Sequence, residues 1–186
     1  TPEIVGGYNH SALLKSDSTV WTWGSNEFGQ LGDGTVIERH TPVQVSATGG
    51  TGFLTGITAI AAGQSHTIAL KADGTVWAWG RNNAGQLGDG TTTYRHTPVQ
   101  VHSEGGYLED IVSISGGMDH TIALKSDSTV WTWGENFHGQ LGDGTTMERH
   151  IPVQVHGEGD VGFLNDIVKV AGGSGHTIVL KSDNTV

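Results

Sequence analysis

Four histidines, His10, His66, His120 and His176, recur along this chain at intervals of 56, 54 and 56 residues. Trp21, Trp77 and Trp131 keep the first two of those steps, and so do Pro42, Pro98 and Pro152. A period of this length means that each copy is one supersecondary unit, too small to bury its own apolar face, which packs against the next copy. Residues 1–166 hold three units, about 1–56, 57–110 and 111–166, and residues 167–186 begin a fourth, about three and a third repeats in all.

Inside a unit every local signal is extended. "IVSISGG" (111–117) is a β-branched run closed by two glycines. "HTIALK" (120–125) alternates, with His120, Ile122 and Leu124 on one face and Thr121, Ala123 and Lys125 on the other. Ser126-Asp127-Ser128 is turn chemistry, matched by Ala72-Asp73-Gly74 one unit earlier. "VWTWG" (130–134) follows, then "RHIPVQV" (149–155), whose proline lacks an N–H and so belongs at a sheet edge. Glycine is abundant at 30 residues while proline is scarce at 4, which argues for tight turns rather than a flexible linker. The expected fold is all-β: β-propeller blades of four antiparallel strands each, a partial or jointly completed propeller.

These motifs carry a resemblance. "HTIALKSDSTVWTWGENFHGQLGDGT" followed by "RHIPVQV" resembles the repeat of the RCC1 (regulator of chromosome condensation 1) family across essentially the whole chain. The resemblance implies a propeller, typically of seven blades, in a family composed mostly of interaction platforms. It also brings an alternative, guanine nucleotide exchange on a small GTPase, as in the best-known member. A third reading is a purely structural spacer. Bacterial-type members fit the near-identity of the units, which points to recent duplication and to a bacterial surface or secreted setting, with a cytoplasmic one left open. Too few repeats are present to close a seven-bladed ring, so the expectation is a piece of a longer propeller, or self-association through open blade faces.

The recurring residues divide into framework and variation. "GQLGDGT" at 29–35, 85–91 and 139–145 lacks the Gly-Lys-Ser/Thr ending of a phosphate cradle and the oxygen-rich spacing of a calcium loop. It reads as a structural corner plugged by Leu31, Leu87 and Leu141. The strand histidines, with Trp21, Trp23, Trp77, Trp79, Trp131 and Trp133, read as packing residues of the same framework. His40, His96 and His150, and His102 and His156 on the faces of two of them, read as solvated or packing side chains, so no metal is expected. Nor is a cofactor or catalysis: no nucleophile stands beside a base and no carboxylate pair departs from the repeat. Clustered Trp and Arg, an ultraviolet chromophore within the family, are not singled out by one Trp-x-Trp per blade.

A formal charge of −10 excludes the nucleic-acid backbone as a direct partner, and no apolar run is long enough for membrane insertion. The expected partner is a protein. Its contacts would come from positions released by the repeat, where units differ: Glu27 and Phe28, matched by Arg81 and Asn83, then Phe137 and His138; and Ile37, Tyr94 and Met147 beyond the corner. Aromatic residues and Met in turns that ordinarily favour polar residues are typical of interface cores.

Overall fold

The computed structural model describes residues 1–186. Three four-stranded antiparallel sheets follow one another in chain order. The first holds β1 (Glu3–Gly6), β2 (His10–Leu14), β3 (Val20–Gly24) and β4 (Arg39–Gln44). The second holds β5 (Ile57–Ala62), β6 (His66–Lys71), β7 (Val76–Gly80) and β8 (Arg95–Gln100). A small hairpin, β9 (His102–Ser103) and β10 (Gly106–Tyr107), leads to the third: β11 (Ile111–Gly116), β12 (His120–Lys125), β13 (Val130–Gly134) and β14 (Arg149–Gln154). Strands β15 (Ile167–Gly172) and β16 (Thr177–Lys181) open a fourth sheet. Helix is confined to two 3-10 turns, and none is long and apolar enough to cross a membrane.

The sheets are blades because their strands are apolar on both faces. In β6 and β12, both reading HTIALK, every residue but the terminal lysine is buried. Ile68, Leu70 and Ala78 face forward onto Ala123 and Trp133 of the third sheet, whereas Ala69 and Trp79 face back onto Ala12, Leu14 and Val20 of the first. The core therefore lies between sheets, and no sheet has one of its own. The blades do not close a ring.

Proline falls where a missing N–H costs nothing. Each of β4, β8 and β14 is the outermost strand of its sheet. The β3–β4 ladder pairs Thr22 with Val43 and then skips to Gly24 with Arg39, so Pro42 sits in the gap. Pro98 and Pro152 occupy the same gap in their own sheets.

One relay joins each blade to the next. His66 Nε2 lies 3.0 Å from the Thr121 hydroxyl, which donates to the Gln86 carbonyl at 2.8 Å. That carbonyl also accepts the Trp133 indole N–H at 3.0 Å. Since the hydroxyl has only one proton and gives it to Gln86, His66 must be the donor to Thr121. It is the neutral Nε2–H tautomer, and its buried Nδ1 has no partner. His10–Thr67–Gln30 and His120–Thr177–Gln140 repeat the arrangement at the neighbouring junctions. Replacing Thr121 with Val would leave the His66 Nε2–H unpaired in the interior and strip the Gln86 carbonyl of one of its two donors. We expect a loss of about 2 kcal/mol or more in denaturant melts. Ser11, the matching residue of the first blade, makes no such bonds, and Ser11→Ala should be neutral.

Candidate functional site

Antiparallel order places the β1–β2 and β3–β4 loops at one end of every blade, which forms one rim. The β2–β3 turns and the links between blades form the other. The "GQLGDGT" segment lies in the β3–β4 loop, and its donors and acceptors are spent within the corner and on the next blade. Leu31, Leu87 and Leu141 are fully buried. In the second blade Asn82, buried beneath the loop, accepts the Leu87 N–H at 2.9 Å and donates to the Thr93 carbonyl at 3.0 Å. Asp89 accepts the Thr91 N–H at 3.0 Å and the Thr91 hydroxyl at 2.7 Å, while its other oxygen pairs with Arg95 at 2.6 Å. Burial pushes this carboxyl up, but the bonds from Thr91 and Arg95 outweigh it and hold it below its ordinary 3.8. The same balance holds at Asp33 and Asp143. With both oxygens occupied by the loop's own groups, the corner offers no free ligand for an ion or phosphate. No group of three His, Asp or Glu side chains converges as a metal donor set.

Variable residues stand on the outer surface of this closed scaffold. Phe28 of the first blade meets Tyr94 of the second edge to face, with ring centroids 5.5 Å apart. The Arg81 guanidinium, also from the second blade, lies 5.7 Å over the Phe28 ring. Asp119 of the third blade backs Arg81 at 3.4 Å and is anchored by the Gln86 amide at 2.9 Å. Three blades thus contribute to one patch in which two aromatic rings and a cation are held in place but remain accessible.

A family model described as RCC1-like domain matches residues 2–186. The chain belongs to the RCC1-like domain family. It is 32% identical over 183 residues to the Ultraviolet-B receptor UVR8 of Arabidopsis thaliana, covering 98% of this chain and 39% of that protein. It is 36% identical over 154 residues to the probable E3 ubiquitin-protein ligase HERC4 of Homo sapiens, covering 82% of this chain and 14% of the ligase. The crystal structure of Prp20p from Saccharomyces cerevisiae, reported with its binding properties to Gsp1p and histones, superposes with a TM-score of 0.77 at 20% identity. That match takes in 98% of this chain and 44% of Prp20p. The RCC1-like chain therefore spans less than half the length of each of these relatives. All three are eukaryotic and lend no support to a bacterial source.

The other variable residues of this RCC1-like domain stand apart from the patch. Glu27 and Asn83 are exposed on the same rim, and so are Ile37, Phe137, His138 and Met147, but none of these six stacks against another blade's aromatic ring. Trp79 and Trp133 are fully buried at blade junctions, while Trp21, Trp23, Trp77 and Trp131 are half-buried. His10, His66 and His120 are buried in the relay, whereas His176 is exposed. Two functional features escape the sequence reading. Asn26, Asn82 and Asn136 staple the corners, a role signalled by an Asn that recurs five residues before each plugging Leu. Asp119 supports Arg81, and it stands where other units carry Asn9, Ser65 and Gly175, so unit-to-unit comparison extended to the β1–β2 loop would have found it.

Proposed function

We propose that this RCC1-like segment is a non-enzymatic scaffold that binds a protein partner through the β3–β4 rim, with Phe28, Arg81 and Tyr94 as the contact centre. The observation that carries the reading is the assembly of these three side chains across a blade boundary, at positions the repeat does not constrain. Aromatic and Arg residues that are rigidly held yet accessible are the groups that dominate interface energies. The Asp119 buttress fixes the guanidinium before any partner arrives, which lowers the ordering cost of binding.

Relatives lend context. Prp20p was described together with Gsp1p and histone binding, and HERC4 is named as a probable ligase of which this chain matches only a small share. The nucleotide-exchange alternative lacks comparable support. From Gly24 to Arg39, Gly80 to Arg95 and Gly134 to Arg149 the step is always 15 residues, so no blade carries an enlarged loop to act as a wedge.

The test is a partner identified by cross-linking and mass spectrometry, then titrated against Phe28→Ala/Tyr94→Ala and Arg81→Ala. Each variant should weaken binding about tenfold or more, at least ~1.4 kcal/mol, with melting unchanged. Unaltered affinity in both would sink the rim reading and leave the spacer role.

A further inference from the structure

The opposite rim holds a second feature, which arises from a difference in length. Eleven residues (46–56 and 156–166) link Val45 to Ile57 and Val155 to Ile167, but only nine (102–110) link Val101 to Ile111. The longer links each fold as a 3-10 turn, Thr48–Gly50 and Glu158–Asp160. The first straps onto the next blade, where the Thr48 hydroxyl donates to the Pro98 carbonyl at 3.1 Å. In the short link the hairpin of β9 and β10 replaces the turn. Its Ser103 hydroxyl donates to the Tyr107 carbonyl within the hairpin, at 2.9 Å, and makes no hydrogen bond to the third blade, although β9 lies alongside β14.

Without the strap a groove remains between the second and third blades. Its volume is about 670 Å³, against about 290 Å³ at the junction before it. Trp131 and Pro152 are among the apolar residues that line it, with Tyr107 at the hairpin side. The smaller groove has the matching Trp77 and the Asp89–Arg95 pair, but no other carboxylate. The larger one adds Glu104, Glu109 and Asp110, all exposed and none in a salt bridge. Asp143 in its wall is neutralised by Arg149 at 2.7 Å, and Lys125, which makes no salt bridge, lies 5.6 Å over the Trp131 ring. Three free carboxylates beside the exposed rings of Tyr107 and Phe163 suit a cationic side chain with an apolar neighbour. Pro152 interrupts the adjacent edge strand, so recognition would come from side chains rather than from an added β-strand.

We infer that the groove between the second and third blades binds a basic, apolar-interrupted peptide segment of a protein partner. The inference does not depend on the rim patch described above, because the groove, although its wall reaches Asp143 and Arg149 of the third blade's corner, shares none of that patch's residues.

A fluorescein-labelled peptide of alternating arginine and leucine, with a glutamate-for-arginine counterpart, serves as the probe. Anisotropy titrations should show binding of the basic peptide only. The Glu104→Gln/Glu109→Gln/Asp110→Asn variant should bind it about tenfold or more weakly. Asn suits the left-handed backbone at Asp110, where φ is 63°. Two controls separate the groove from the general field of a chain of charge −10. Glu27→Gln/Glu38→Gln/Glu148→Gln removes three carboxylates on the other rim and should leave affinity unchanged, as should Phe28→Ala/Tyr94→Ala. Absence of binding, or an equal loss in the rim carboxylate variant, would overturn the proposal.

Discussion

Stability should fall steeply as pH drops from about 6.5 to about 4, and the buried histidines set that window. Burial holds His10 and His120 near 4 and His66 near 3, against an ordinary 6.5. Above pH 6.5 these imidazoles are neutral in both the folded and unfolded chain, and they contribute no pH dependence. Below it the unfolded chain takes up protons that the folded chain refuses, so the unfolded state gains stability as acid is added. Each histidine then removes about 1.4 kcal/mol per pH unit, and three acting together remove on the order of 8 kcal/mol by about pH 4.5. That is comparable to the whole stability of a typical domain. The geometry gives the reason: Nε2 is committed as donor to a threonine, and a proton on Nδ1 would be buried without an acceptor. Urea midpoints across this range test it, and a midpoint that holds to pH 4.5 would show that the histidines are not neutral in the fold. His66→Gln should lower the slope by about a third. Asp33, Asp89 and Asp143, held low by their hydrogen bonds, stabilise the fold above 3.8, and that contribution is lost only under stronger acid.

Leu87→Ala should cost about 2–5 kcal/mol. The side chain is fully buried at the junction of the second and third blades, packed with Val101, Leu108 and Trp133. The corner around it is closed by the Asn82 bonds and cannot easily collapse into the space left behind. Gly88 next to it has a φ of 67°, and a Cβ there would stand 2.7 Å from the Trp133 indole nitrogen, so the corner and the indole are fitted to one another. A loss well below about 1 kcal/mol in denaturant melts would remove Leu87 from this role.

What could be read in advance follows from what repeats. Strand positions, hairpin turns and the edge placement of Pro42, Pro98 and Pro152 are properties of one unit, and the spacing of His, Trp and Pro displayed them three times over. Contacts between units were not legible in the same way. His66 and Thr121 are 55 residues apart, and periodicity shows that each recurs without showing that one copy's histidine meets the next copy's threonine. The tryptophans illustrate the difference. Trp131 and Trp133 share a strand face by parity, yet Trp133 fills the preceding corner while Trp131 lies in the open groove. The second blade divides its pair in the same way, with Trp79 fully buried and Trp77 half-buried beside a smaller groove, so the split follows from the distance to the preceding corner and not from parity. The Phe28, Arg81 and Tyr94 cluster was visible as three unusual residues, but their meeting depends on blade order.

The relay has a consequence for how such chains lengthen. Each bond in it joins one copy to an adjacent copy through the same pair of repeat positions, so a duplicated unit arrives already carrying both halves of a valid junction. Its histidine finds the next threonine, and its threonine finds the previous carbonyl, whichever copies stand on either side. Gain or loss of a whole unit therefore demands no compensating change elsewhere, while gain or loss of a fraction of one severs the pairing at once. Genetic slippage in steps of one whole unit is the mode of growth this architecture tolerates.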